Sequence, residues 1–252
     1  MSLLKQFQQY IKKENLFQPK DRLLLAVSGG VDSVVLCELC KQAGYDFAIA
    51  HCNFQLRGKE SERDELFVQR LGEKYEVKVL VKRFDTEKHA SEWKQGIQEV
   101  ARTLRYNWFN ELVTGQLSED ACQYVLTAHH KDDNIETLLM NFFKGTGING
   151  LHGILPRQRK LIRPLLFAGK NELKEFAKEN NLQFVEDSSN STDTYTRNYF
   201  RNQLIPSLQK VFPQVENNLA ENLQRFSEVE ILYRQSMNNV GKLYAKVKLK
   251  DL

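Results

Sequence analysis

Leu23 to Ser33 reads LLLAVSGGVDS: five apolar positions, the string Ser28-Gly29-Gly30-Val31-Asp32-Ser33, and then a second apolar run that begins Val34-Val35-Leu36. The unbroken first run fits a strand buried on both faces, and the second fits a helix that follows it directly. A strand, loop and helix in that order place free backbone N–H groups and the positive end of a helix dipole at the strand's C-terminal edge, which suits an anion. Gly29 and Gly30 let the backbone approach phosphate oxygens with no Cβ in the way, Ser28 and Ser33 offer hydroxyls, and Ala26 and Val31 frame the loop. Asp32 is the odd residue, because a carboxylate beside phosphate repels it unless a cation lies between, and magnesium is the natural one. The plainer alternative is a tight turn with Asp32 capping the helix. The chain has no G-x-x-x-x-G-K-[ST] string, which excludes a Walker-type loop.

Working outward, short strand-like runs alternate with longer helical ones. Leu23 to Val27, Phe47 to Ala50, Val77 to Val81 and Tyr124 to Thr127 read as strands, with Phe184-Val185 as a short fifth. Helical patterns cover Val34 to Gln42, Glu62 to Tyr75, Gln95 to Val113, Asn134 to Phe143 and Asn171 to Glu179. This order predicts an α/β fold: a doubly wound parallel sheet with helices on both faces, followed by a helical C-terminal segment. The expected domains are a catalytic domain over 1–205 and, over 206–252, a helical linker or the start of a C-terminal region, because so long a helical pattern has little partner sequence after it.

Composition bounds the function. Lys and Arg number 36 against 32 Asp and Glu, an excess that permits a polyanionic partner without requiring one. No stretch nears the roughly 20 apolar residues of a membrane span, and the N-terminal Leu3, Leu4, Phe7, Tyr10 and Ile11 are spaced as a docking helix. A cytoplasmic protein with no membrane partner is expected. Cys37 and Cys40, inside the apolar helix after the loop, read as buried thiols. Trp93 and Trp108 read as packing residues, and His89 and His152 as surface or structural ones.

Two further strings follow predicted strands, at the edge where parallel sheets place their ligand crevice: His51-Cys52-Asn53-Phe54-Gln55-Leu56-Arg57-Gly58 and Ala128-His129-His130-Lys131-Asp132-Asp133-Asn134-Ile135-Glu136-Thr137. Beyond them come Gly145-Thr146-Gly147-Ile148-Asn149-Gly150-Leu151, Arg163-Pro164-Leu165-Leu166, Asp187-Ser188-Ser189-Asn190 and Arg197-Asn198-Tyr199-Phe200-Arg201. SGGVDS resembles the pyrophosphate-binding loop of the ATP pyrophosphatase (PP-loop) superfamily. The whole series, over roughly residues 20 to 210, resembles the tRNA(Ile)-lysidine synthase family. The family usually has a second histidine where this chain has Phe54.

The resemblance implies a ligase that uses ATP and magnesium to adenylate the C2 oxygen of the wobble cytidine in tRNA(Ile) with anticodon CAU, after which the side-chain amine of L-lysine displaces AMP. Such chemistry needs N–H donors, a metal and a cationic clamp around the phosphates. Ala26, Ser28, Gly29, Gly30, Val31, Asp32 and Ser33 with His51, Asn53 and Arg57 would bind ATP, Asp32 also holding the metal. Arg105, Arg163, Arg197 and Arg201 are candidates for the clamp or for tRNA phosphates. Asp133 and Glu136, three apart at a helix start, share a face and suit the cytosine N4 amine or the lysine ammonium. Asp132, Asp133, Glu136 and Asp187 divide the base and binding roles in a way spacing does not settle; the catalytic set comprises Asp32, His129, Asp133, Glu136 and Arg201. The plainer reading of the acidic group is an ordinary helix N-terminus, and of Arg197 and Arg201 a solvated face. The rival functions are another adenylating tRNA-modifying enzyme such as a thiolase, which needs a reactive cysteine, and a non-catalytic nucleotide- or tRNA-binding module.

Overall fold

The β1 strand, Leu23–Ala26, lies inside a six-stranded sheet, and its side chains show why both faces must be covered. Leu23 and Leu25 enter one apolar core, while Leu24 enters a second. On the neighbouring strand β2, Phe47–Asn53, the same alternation sends Phe47 and Ile49 to the first core and Ala48 and Ala50 to the second. This period of two is what a strand dictates, and apolar residues at every position therefore require cover on both sides.

The computed structural model describes residues 1–115, 121–186 and 196–248, with side chains to residue 237. The chain forms two compact units, one of residues 1–131 and 156–187, the other of 132–155 and 188–252. The first unit holds the sheet, in the order β3-β2-β1-β4-β6-β5, where β3 is Val79–Arg83, β4 Tyr124–Leu126, β5 Arg157–Gln158 and β6 Leu161–Ile162. All neighbours are parallel except β5, which returns antiparallel on β6 at the edge. Helices α1 (Leu3–Lys13), α2 (Val31–Gln42), α3 (Lys59–Tyr75) and α8 (Lys170–Glu179) bury their apolar faces in the first core. Helix α5 (Ile97–Thr114) supplies Trp108, Phe109 and Val113 to the second. The doubly wound expectation is met.

Several local expectations are corrected. Phe184-Val185 is not a strand; the fifth and sixth strands are the two-residue β5 and β6, too short to carry a periodic signal. A helix α4 (Thr86–Trp93), capped by Asp85 accepting from the Lys88 N–H at 3.1 Å, precedes α5. It carries Trp93 to the surface against His89 rather than into a core. As expected, α1 docks through Leu3, Phe7 and Ile11, all buried.

The second unit is helical: α6 (Lys131–Lys144, entering it at Asp132), α7 (Ile148–Leu151), α9 (Thr196–Tyr199), a π-helical turn over Phe200–Leu204, α10 (Ile205–Val211) and α11 (Val215–Lys248). Its core is small, made by Ile135, Leu138 and Leu139 of α6 with Phe200, Ile205 and Leu223.

Candidate active site

In the first unit the chain leaves β1 and turns at Gly29 into α2. Gly29 has φ +96°, and a Cβ there would lie 2.7 Å from Val185 Cγ2, so both conformation and space demand glycine. Gly30, the N-cap of α2, is different: its backbone is extended and a Cβ would meet only Ser28 Oγ at 3.5 Å. Nothing in the described fold forbids a side chain at 30, so its bareness leaves a clear approach to the helix N-terminus. The two serines brace the loop itself. Ser33 Oγ donates to the Gly30 carbonyl at 2.8 Å and accepts the Gly29 N–H at 3.3 Å, while Ser28 Oγ accepts the Gly30 N–H at 3.3 Å.

Asp32 does not cap α2, which has no side-chain cap. Its carboxylate is held by Lys170, whose Nζ lies 2.7 and 2.6 Å from the two oxygens, and buried His130 places Nε2 3.8 Å from Oδ2. The expectation of a cation beside Asp32 thus meets an ammonium that spacing alone did not reveal.

The residues after β2 are tied into the first unit. His51 donates Nδ1–H to the Val27 carbonyl at 2.8 Å, and burial pushes its pKa down, so it is a neutral ring locking β2 to the end of β1. The buried Asn53 amide donates to Glu65 at 2.7 Å and to the Ser61 carbonyl at 3.3 Å, and accepts the Gln55 N–H at 3.0 Å. Glu65 in turn receives two bonds from Arg83, at 2.9 and 2.8 Å, which hold its carboxyl below the usual range. Arg57 reaches toward Glu60 and Asp64 at 3.9 and 3.8 Å. Phe54, in the histidine position of the family, stacks on Phe84 at 5.6 Å and carries the Arg105 guanidinium on its ring at 5.1 Å. An apolar ring there thus packs and orients an arginine. His129 pairs its Nδ1 with Thr127 Oγ1 at 2.9 Å. Arg163, just past β6, is buried beside Gln158 and Tyr106, and burial lowers its pKa.

The second unit holds a separate cluster. Glu136 is 1% exposed and takes a bidentate grip from Arg201, Nε at 2.6 Å and a terminal nitrogen at 3.0 Å. Arg201 also reaches Asp133 at 3.2 Å, and Arg197 donates to Thr137 Oγ1 at 3.0 Å with Asp133 3.7 Å away. Burial, the largest influence, together with the neighbouring Asp133 raises the Glu136 pKa against the opposing pull of Arg201 and Arg197. The four residues picked from spacing therefore do converge, with the π-helical turn carrying Arg201; the arginines, each about a third exposed, reach carboxylates with their guanidinium groups. Asp132 lies in the first turn of α6, and Asp187 is outside the described residues.

A glycine turn from a central strand into a helix N-terminus, on a mainly parallel sheet, is the arrangement of the α/β folds whose ligand crevice lies at the carboxyl ends of the strands. The chain belongs to the PP-loop domain family, which matches residues 2–208. It is similar to tRNA(Ile)-lysidine synthases: 43% identical to that of Bacteroides thetaiotaomicron over 226 residues, covering 90% of this chain and 52% of the relative. The Chlorobaculum tepidum enzyme is 39% identical, with 89% of this chain and 67% of the relative covered. The chain spans about half the length of several curated relatives it matches. Among solved structures, the U34-tRNA thiolase NcsA of Methanococcus maripaludis, with its [4Fe-4S] cluster, shares the fold at TM-score 0.69 and 15% identity, covering 89% of this chain and 80% of that one.

Proposed function

We propose that this chain carries the catalytic domain of a lysidine-forming ligase acting on the wobble cytidine of tRNA(Ile) with a CAU anticodon. The observation that carries the reading is a braced SGGVDS loop at a helix N-terminus in a chain 43% identical to a tRNA(Ile)-lysidine synthase. In the reaction the cytidine C2 oxygen attacks the α-phosphate of ATP and pyrophosphate leaves; the lysine Nε then attacks C2 and AMP leaves. The first N–H groups of α2, from Val31 onward, and the helix dipole suit the negative charge that grows on the phosphates.

A single carboxylate in the first turn of α2 suits magnesium in its usual mode, one carboxylate with substrate phosphates and water. Asp32 would hold that ion, whose charge would offset that of the phosphates. In the second unit, Asp133 and Glu136 would accept from the lysine ammonium or the cytosine N4 amine once a substrate draws Arg197 and Arg201 off them. The extent of the catalytic domain, 1–205, remains part of this proposal, as does a cytoplasmic setting; no described helix is long and apolar enough to cross a membrane.

The thiolase alternative is disfavoured by the cysteines. Cys37, Cys40 and Cys122 are buried, and burial raises the thiols of Cys37, Cys40 and Cys52, the last to about 12. The test incubates the chain with ATP, magnesium, labelled lysine and a panel of tRNAs, and reads nucleosides by mass spectrometry. Lysine attached to cytidine of tRNA(Ile) is expected. Pyrophosphate release with no lysine attached to any tRNA, sulfur incorporation when sulfide is supplied in a parallel reaction, or no ATP binding at all would overturn the proposal.

A further inference from the structure

The phosphate loop is fitted with a cation that its own string does not contain. Lys170, 138 residues downstream, sets its ammonium at 2.7 and 2.6 Å from the two oxygens of Asp32. The pair is partly screened from water, with side-chain exposures of 31% and 26%, so it exceeds a loose surface contact. It is also held in place. Lys170 is the first residue of α8, whose N-terminus is fixed by Glu172 accepting the Gly169 N–H at 2.8 Å. Leu173, Phe176 and Ala177 of α8 share a core with Val34, Val35 and Leu36 of α2, the helix that carries Asp32.

Two facts conflict unless the ammonium moves. A carboxylate in the first turn of α2 repels phosphates arriving at that N-terminus, and a lysine locked onto that carboxylate blocks the divalent ion that would relieve the repulsion. A lysine resolves this well: its charge is compact and its four-carbon stem rotates freely. We propose that Lys170 is the exchangeable cation of the loop, neutralising Asp32 in the nucleotide-free protein and swinging onto the β- and γ-phosphate oxygens when the polyphosphate enters. Asp32 is thereby released to the metal. Lys170 then stays with pyrophosphate as it departs and returns to Asp32 afterwards.

This inference rests on the ATP reading above, and the test separates the two. Isothermal titration measures ATP, inorganic pyrophosphate and AMP, with magnesium present, against the wild-type chain and the K170M, K170Q and K170R variants, each checked for an intact thermal transition. Losing a charge-assisted bond to phosphate should weaken ATP and pyrophosphate about tenfold or more in K170M while AMP changes less than about twofold. K170R should recover most of the pyrophosphate affinity, which a merely structural loss would not allow. K170Q replaces K170M if the latter does not fold. Wild-type levels of ATP and pyrophosphate binding in the charge-removed variant overturn the inference about Lys170 alone. Equal weakening of AMP and pyrophosphate also overturns it. A wild-type chain that binds none of the three overturns the nucleotide reading, and this inference with it.

Discussion

At the residue scale, the two glycines of the loop make different demands, and substitution should separate them. Gly29→Ala meets both the positive φ and Val185, so it should destabilise the fold by roughly 1–3 kcal/mol in chemical denaturation and abolish ATP binding. Gly30→Ala meets no such obstacle and should fold with a midpoint near wild type while losing ATP affinity, because its methyl intrudes only where phosphate would approach. Equal stability loss in both would contradict the assigned geometry. The loop at SGGVDS was legible because two glycines and two hydroxyls directly after an apolar run mark a tight strand-to-helix turn, and the chain makes that turn between β1 and α2. Lys170 was not, because a lysine at the start of an amphipathic helix looks like any other until the fold brings it to Asp32. Nor was the inward turn of the Asn53 amide, since the Glu65 that engages it, itself held by Arg83, lies on another element.

At the element scale, helix α6 depends on a partner from a distant segment. Removing Arg201 leaves a buried carboxylate without its bidentate donor, at a cost of about 2 kcal/mol, less than the 3–5 of a fully buried pair because the arginine is a third exposed. The sign of the pH effect follows from the raised Glu136 pKa. Folded protein keeps this proton at a pH where the unfolded chain has released it, so stability is highest below the ordinary glutamate value and falls as pH rises through the folded one. Arg201→Met should widen that window upward, and Arg201→Met with Glu136→Gln should flatten it, as urea midpoints between pH 4 and 8 would record. Helix α1 offers a simpler case: Phe7 is fully buried, and Phe7→Ala should cost about 3–5 kcal/mol. Its spacing was readable because the helical period ran through Leu3, Phe7 and Ile11. The β5–β6 edge was not, because two residues define no period.

At the scale of the whole molecule, the two units differ in the size of their cores. The first buries both faces of a sheet, while the second rests on six buried apolar residues among those described. Amide hydrogen exchange should therefore show slower exchange in β1, β2 and α2 than in α6, α10 and α11. Comparable protection throughout would mean that core size does not govern opening here. The same burial predicts that thiol reagents at neutral pH leave Cys37 and Cys40 unmodified until the chain unfolds.

The separation of Glu136 and Arg201 along the chain has a consequence for biosynthesis. The two are 65 residues apart, and the whole of β5, β6 and α8 lies between them. On a ribosome adding about 5–20 residues per second, the glutamate emerges on the order of 3 to 13 seconds before its arginine. In that interval Asp32, the loop glycines and Lys170 have all been made, so a nascent chain completes its phosphate loop while its acidic cluster still waits for a counter-charge. Slow codons between residues 171 and 200 would lengthen that wait, leaving Glu136 hydrated or protonated and α6 unpacked until translation resumes.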